Sequence, residues 1–115
     1  MRNMSFMLTE PQYLDGTKDV TRRMGWGSLK VGDEFRAVRK AMGLKKGEKQ
    51  VVLGINVVTA VNWEELKIIS KAEVIREGFP EMSPAEFVAM YCKHHKGCTP
   101  ETKIRRIAFK KLLLT

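Results

Sequence analysis

The stretch from Val51 to Trp63, VVLGINVVTAVNW, constrains the fold of this chain more than any other. Its side chains alternate between two faces, and many of them are β-branched. One face would carry Leu53, Ile55, Val57, Thr59 and Val61, and the other Gly54, Asn56, Val58, Ala60 and Asn62. A period of two predicts a half-buried antiparallel strand. Gly54 within it indicates a bulge or a close approach by another segment.

Two helices are predicted after this strand. Ser83 begins the clearer one, because Ser83 to Glu86 combine a capping box with proline at the first helical position. Its apolar face, at positions i, i+3, i+4 and i+7, consists of Pro84, Phe87, Val88 and Tyr91. A shorter helix over Lys71–Arg76 is expected to end at Gly78.

The other elements complete an α+β pattern. They are a strand over Ser5–Leu8, a short helix capped by Thr9 and ended by Gly16, a helical turn over Asp19–Arg23, a strand over Glu34–Lys40 and a closing strand over Lys103–Leu114. Short strands around two or three helices favour a small barrel or curled sheet with helices at its ends. The length of 115 residues predicts one domain, over 1–115.

The balance of charge points to a class of partner. The formal net charge is +8 and the isoelectric point is near 9.7, which favours nucleic acid, nucleotides or an anionic membrane. The alternative is that the charge only maintains solubility. No stretch approaches the roughly 20 apolar residues of a membrane helix, and the N-terminal run SFML is too short for a signal peptide. We therefore expect a cytoplasmic protein that does not act at a membrane, with Cys92 and Cys98 as thiols.

The segment GTKDVTRRMGW, residues 16–26, holds the residues best suited to chemistry. In a helical turn Lys18 and Thr21 would share a face. A threonine becomes a nucleophile when a base takes its proton, and a lysine becomes a base when burial or nearby cations lower its pKa. Arg22 and Arg23 offer such cations and also suit phosphate, because guanidinium is a planar fork of donors. The alternative is a charged surface turn.

Other residues extend the candidate binding surface. Trp26 can stack on a base or lie in the core. The glycine- and lysine-rich loop over 42–49 adds the cations Lys45, Lys46 and Lys49. Glu73 and Glu77 lie four residues apart, so on a helix they form either an acid–base pair or solvated charges.

The segment YCKHHKGC, residues 91–98, contains four metal-ligand types. Structural zinc usually takes two separated ligand pairs, whereas Cys92, His94, His95 and Cys98 form one compact cluster. The two histidines also suit the carbonyls at a helix C-terminus. We therefore predict no metal and no cofactor, with a zinc-dependent module as the alternative.

Four stretches resemble ASCH domains, relatives of the PUA domain. GTKDVTRR fits the signature turn G-x-K-x-x-T-x-R, and VGDEFRAVRK resembles the Gly-Asp strand that follows it. AEVIREGFPEMSPAEFVAMY resembles the Glu-Gly-Phe turn and its helix, and IRRIAF the closing strand. Order and spacing agree over about residues 5 to 110.

The resemblance implies a small PUA-like β-barrel of about five to six strands flanked by two or three helices, with a cleft for RNA or a nucleotide-like ligand. One branch of the family removes the acetyl group from N4-acetylcytidine with a lysine, a threonine and a glutamate. Carried over by motif, Lys18 would be the base, Thr21 the nucleophile and Glu77 a proton carrier. Another branch is ribonuclease-like, and some members are RNA-binding modules.

We therefore expect a monomeric domain that binds RNA or a modified nucleoside in a basic cleft. Its expected ligand contacts are Arg22, Arg23, Trp26, Lys45, Lys46 and Lys49. Deacylation of an N4-acylated cytidine is the first alternative, and RNA cleavage is the second. The chain departs from the amidohydrolase branch in the loop over 42–49 and in the MGW element after the arginines, which leaves its substrate open.

Overall fold

A computed structural model describes residues 1–112 of the chain. Within them the elements, in chain order, are β1 (Arg2–Ser5), α1 (Glu10–Leu14), β2 (Val20–Arg23), β3 (Glu34–Val38), β4 (Val52–Glu65), a 3-10 turn (Leu66–Ile68), α2 (Lys71–Glu77), α3 (Pro84–His94) and β5 (Lys103–Lys111). The predicted α+β class is confirmed. The end of the predicted closing strand, residues 113–114, lies outside the described residues.

The five strands form one curled sheet in the order β1-β3-β4-β5-β2. β1 pairs with β3 in parallel, and the other pairs are antiparallel. Arg23, at the end of β2, donates from Nη2 to the Ser5 carbonyl at the end of β1, over 2.8 Å. This contact links the two edge strands, and the predicted small barrel is found as a five-stranded half-barrel.

Strand β4 confirms the predicted strand and shows what Gly54 does. A Cβ atom at Gly54 would lie 2.2 Å from Tyr13 Oη, so only glycine leaves room for that ring. The Tyr13 hydroxyl donates to Asn56 Oδ1 over 2.7 Å. Both predicted explanations for Gly54 are confirmed, because the register against β3 also shifts beside it: Ala37 pairs with Gly54 and Val38 with Val52, which leaves Leu53 without a partner residue.

The predicted unbroken alternation along β4 is wrong beyond Val58. The register against β5 shifts between Val58 and Ala60, which leaves Thr59 without a partner residue. Such a bulge reverses the alternation that follows it. As a result Val61 packs against the same core as Val58, whereas Ala60 is exposed.

The predicted helical turn over Asp19–Arg23 is also wrong, because Val20–Arg23 is strand β2. It pairs with β5, from Val20 opposite Ala108 to Arg23 opposite Arg105. β-Branched residues suit a pleated, half-buried surface, and β5 supplies backbone partners that a single helical turn would lack. Thr21 and Arg23 consequently share one face of the sheet, and Arg22 has the other.

Of the remaining predicted elements, the first strand is wrong and the two later helices are right. The first strand is Arg2–Ser5 and not the predicted Ser5–Leu8; Met7 and Leu8 form a turn, although the Phe6 amide still donates to the Val38 carbonyl. Helix α2 begins after Ser70, and helix α3 begins after Ser83 with both capping-box hydrogen bonds present. The two predicted later helices are confirmed.

The buried apolar side chains form two hydrophobic cores. We call them the sheet core and the helix core. The sheet core consists of Met4, Phe6, Tyr13, Leu29, Phe35, Ala37, Val58, Ile107 and Phe109, and the helix core of Leu66, Ile69, Val74, Phe87, Tyr91 and Ile104. Strand β5 contributes to both. No helix within residues 1–112 is both long and apolar enough to cross a membrane.

Candidate functional site

Lys18 reaches the interior because of the turn that precedes β2. Gly16 adopts a positive φ of 85°, and the Lys18 amide then donates to the Gln12 carbonyl. The Lys18 side chain is buried, and its Nζ donates to the Glu77 carbonyl over 2.6 Å and to Glu77 Oε1 over 3.2 Å. Burial is the largest influence on the pKa of this amine and lowers it. The Glu77 carboxylate raises the pKa in part, and the Arg23 charge lowers it further.

Glu77 is the last residue of α2, and its carboxylate lies between two cations. Oε1 accepts from Lys18, and Oε2 accepts from Arg22 Nη1 over 3.0 Å. The chain then leaves the helix through Gly78, whose φ of 103° favours glycine. The helix end therefore holds the Glu77 carboxylate beside Lys18 although the two residues are 59 positions apart.

Arg22 donates hydrogen bonds to three carboxylates. Besides Glu77, its Nη2 donates to Glu64 over 3.0 Å and to Glu73 over 2.8 Å. Its side chain is 1% exposed. A phosphate, the ligand predicted for this arginine, would have to compete with three carboxylates, whereas the present contacts make Arg22 a support for Glu77.

Thr21 and Arg23 lie together on the inner face of β2. Arg23 Nε donates to Thr21 Oγ1 over 3.0 Å, and its guanidinium stands 5.3 Å from the centre of the Phe6 ring. The described residues show no hydrogen bond between Thr21 and Lys18. Because Thr21 Oγ1 accepts from Arg23, its own proton stays available to a ligand or a base.

These side chains line a cleft of about 470 Å³ between the two cores. Its lining combines aromatic and apolar side chains with the polar groups described above. The residues are Ser5, Phe6, Met7, Leu8, Thr9, Lys18, Thr21, Arg22, Arg23, Glu77, Phe79, Phe87, Met90, Tyr91, His94 and His95. The structure thus brings together Lys18, Thr21, Glu77, Arg22 and Arg23, all of which were singled out from the sequence.

Sequence reasoning missed the aromatic wall of the cleft. Tyr91 was expected only as part of a helix face, yet its hydroxyl donates to the Arg22 carbonyl over 3.1 Å and its ring stacks on His95 at 4.0 Å. Burial raises the pKa of this hydroxyl above its ordinary value. The only signal was the spacing of Phe87 and Tyr91, which fits a core equally well.

Trp26 and the loop lysines lie away from the cleft lining. Trp26 packs against the sheet core with a φ of 61°, and the Arg2 guanidinium lies 3.8 Å from the centre of its ring. Lys45, Lys46 and Lys49 are exposed in the connection between β3 and β4. Ligand contacts by these four residues stay predictions and would require a ligand that extends beyond the cleft.

The predicted cluster of metal-ligand types does not converge. Within residues 1–112 no three side chains among histidine, cysteine, aspartate and glutamate are arranged to hold a metal ion. His95 Nδ1 is hydrogen-bonded to the Tyr91 carbonyl over 2.9 Å, and Cys92 and Cys98 are both free thiols. The cluster therefore divides into a histidine pair at the cleft and a cysteine pair behind it.

Comparison with known proteins finds similar structures and no similar sequences. No protein-family model matches the sequence, and no curated protein matches it significantly. The ASCH domain of Lactobacillus crispatus JV V101 superimposes with a TM-score of 0.67 at 17% identity, over 96% of this chain and 78% of the other. A protein of Enterococcus faecalis V583, described by the family designation DUF984, superimposes with a TM-score of 0.57 at 13% identity, over 91% of this chain and 70% of the other. The chain has the ASCH-domain fold.

Proposed function

We propose that this ASCH-fold domain binds a nucleobase with its ribose in the cleft beside Lys18, Thr21 and Glu77. One observation carries the proposal: aromatic rings and buried polar groups line the same cleft. Aromatic rings offer stacking surfaces for a planar base, worth about 1–3 kcal/mol per base. Buried donors and acceptors can pair with the base edge.

The size and composition of the cleft support a small ligand. Its volume of about 470 Å³ lies among those of small-molecule sites, roughly 300–1,000 Å³. Lys18 and Arg23 offer donors, Glu77 offers acceptors, and Thr21 offers both. Met7 and Leu8 at the rim are 60% and 63% exposed, so the cleft has an apolar entrance.

The nucleobase can belong to a free nucleoside or to RNA, and the salt dependence of the affinity distinguishes these two ligands. A free nucleoside carries no phosphate, so its affinity should change little between low and physiological salt. RNA contacts phosphates with surface cations, and its affinity should fall steeply as salt rises. The net charge of +8 makes the second source worth testing.

Calorimetric titration with the four free ribonucleosides and with single-stranded RNA, each at two salt concentrations, tests the proposal. Thr21→Val keeps the shape of the side chain and removes its hydroxyl, so we expect an affinity loss of about tenfold. Thr59→Val at the exposed bulge is the matched control and should bind like the unaltered chain. Absence of binding for every ligand at low salt would refute the proposal.

The buried amine of Lys18 favours a second candidate function, hydrolysis of an amide on the bound base. A lysine acts as a general base only when its amine is neutral at working pH, and burial lowers the pKa of Lys18 in that direction. Thr21, a hydroxyl nucleophile with its proton available, lines the same cleft. The substrate class implied by the family resemblance is an N4-acylated cytidine.

The reaction would proceed in two halves. Lys18 takes the Thr21 proton while Thr21 Oγ1 bonds to the amide carbonyl carbon, and the electron pair of the C=O π bond moves to the carbonyl oxygen. Arg23 Nε, which donates to Thr21 Oγ1, orients the threonine hydroxyl for this attack. The C–N bond then breaks, the Lys18 proton passes to the leaving amine, and an acyl ester remains on Thr21. Water hydrolyses this ester and restores the hydroxyl. Lys18 must exchange its bonds to Glu77 for one to Thr21 when substrate binds.

Release of cytidine from N4-acetylcytidine, followed by chromatography, tests this candidate. We expect Lys18→Met and Thr21→Val to lose at least about a hundredfold in rate, while Thr59→Val retains full rate. Binding of cytidine without turnover of its acetylated form would leave the binding proposal standing and exclude the hydrolytic one.

A further inference from the structure

Cys92 and Cys98 lie close together behind the cleft wall. Their sulfur atoms are 3.8 Å apart, and both side chains are half-buried free thiols. A disulfide bond is about 2.05 Å long, so each sulfur would have to move roughly 0.9 Å. A small rotation about the side-chain bonds supplies a movement of that size.

The fold itself creates this proximity. Cys92 lies in the last turns of α3, and the chain reverses beyond the helix through Gly97, whose φ is 81°. The Cys98 amide then donates to the His95 carbonyl over 3.0 Å, which directs Cys98 back toward the helix. Both cysteines pack against the helix core, and this packing limits the movement of both side chains.

We propose that Cys92 and Cys98 are a redox-active dithiol that a hydroperoxide converts into an intramolecular disulfide. The Cys98 thiolate attacks the peroxide oxygen, which breaks the O–O bond, releases water after protonation and leaves a sulfenic acid on Cys98. The Cys92 sulfur then attacks the Cys98 sulfur, the S–O bond breaks, and a second water leaves. Two thiols and one hydrogen peroxide thus give one disulfide and two waters.

The order of these steps follows from the setting of Cys92. Burial, together with its hydrogen bond to Cys98, raises the pKa of the Cys92 thiol. Cys92 Sγ also donates the hydrogen bond to Cys98 Sγ over 3.8 Å, so the shared proton lies on Cys92, and Cys92 takes the second role, that of the resolving thiol.

The disulfide would act on the cleft, whatever the cleft binds. His94 and His95 line the cleft and lie inside the ring that a bond between Cys92 and Cys98 would close. His95 also stacks on Tyr91 at 4.0 Å. Oxidation would therefore hold this part of the rim in one arrangement, and reduction would release it.

Mass spectrometry of the full chain tests the proposal. The reduced protein receives about one equivalent of hydrogen peroxide, and the remaining thiols are then alkylated. We expect a loss of about 2 Da, no alkylation of either cysteine, and reversal by dithiothreitol. Trypsin cleaves after Lys93 and Lys96, so peptides 77–93 and 97–103 should remain joined through the disulfide alone.

The single variants Cys92→Ser and Cys98→Ser should fold, as judged by circular dichroism, and give no joined peptides. Amide hydrogen exchange over residues 94–98 should slow in the oxidised protein. Joined peptides found only in covalent dimers, or a sulfinic acid on Cys98 with no joined peptides, would overturn the proposed intramolecular disulfide. Unchanged exchange over 94–98 in a protein that does form the disulfide would overturn its action on the cleft rim.

Discussion

Lys18, Arg22 and Glu77 are ionisable side chains buried beside one another, with 3%, 1% and 5% of their side-chain surface exposed. An ion removed from water costs several kcal/mol, which only close partners offset. Each of the three therefore requires the others. This dependence explains how three ionisable side chains can stay buried together in a chain of 115 residues.

Gly54 gives a prediction at the scale of single residues. Gly54→Ala places a methyl group 2.2 Å from Tyr13 Oη, so the ring must shift and its hydrogen bond to Asn56 weakens. We expect the free energy of unfolding to fall by about 2–4 kcal/mol in urea titration.

A double-mutant cycle with Tyr13→Phe isolates the cause of that loss. Without the hydroxyl, the nearest atoms to the new methyl group are ring carbons at 3.1 and 3.2 Å. Gly54→Ala should then cost about half as much in the Tyr13→Phe background. An equal cost in both backgrounds would show that the hydroxyl is not the source of the clash.

At the scale of elements, α2 is attached to the sheet through Glu73. This carboxylate accepts hydrogen bonds from Arg22 on β2, from Arg106 on β5 and from Arg76 on α2 itself. The hydrogen bond from Arg106 is the largest influence and, with that from Arg22, lowers the pKa of Glu73 to about 2, although burial opposes the change. The position of Glu77 at the end of α2 depends on this attachment.

Acid should therefore weaken the fold through Glu73. The ordinary pKa is 4.5, so between pH 4.5 and about 2 the unfolded chain binds a proton that the folded chain does not. Stability is present above that window and is lost as pH falls through it, by at most about 3 kcal/mol in total, because solvent screens the ion pairs of a partly exposed carboxylate. In urea titrations from pH 7 to pH 2, Glu73→Gln should be less stable at pH 7, and the difference should narrow toward pH 2.

Glu81→Gln, at an exposed position, provides the control and should follow the unaltered chain at every pH. A constant difference between Glu73→Gln and the unaltered chain across the whole range would contradict the argument, because it would leave no contribution from the titration of Glu73.

At the scale of the whole molecule, β5 joins the two cores. Ile104 lies in the helix core, whereas Ile107 and Phe109 lie in the sheet core. The buried ion pairs of Arg22 add a second link, between β2 and α2. Neither core can lose its contacts without exposing part of the other.

We therefore expect the chain to unfold as one cooperative unit. In a Trp63→Phe variant, tryptophan fluorescence reports the sheet core, because Trp26 packs against that core whereas Trp63 is 48% exposed. Circular dichroism at helical wavelengths reports α2 and α3. The two urea transitions should coincide within error. An earlier loss of the helical signal would show that the helix core is an independent unit.

Much of the secondary structure was predictable because its signals are local. The capping box at Ser83 and the glycine after α2 concern backbone groups within a few residues, and both helices appear where these signals place them. Strand β2 was not predictable in the same way. Its backbone partners lie on β5, more than eighty residues further along the chain, as Val20 opposite Ala108 shows.

The sequence by itself determined the α+β class, the long strand β4, helix α3 and the residue types of the candidate site. The tertiary structure alone decided which of them meet. It placed Glu77 against Lys18 across 59 positions, engaged Arg22 with three carboxylates, and left Trp26 outside the cleft lining. Local backbone preferences act over a few residues, so they can be predicted from neighbouring positions in the sequence. Contacts between buried ionisable groups arise only when packing excludes water around them.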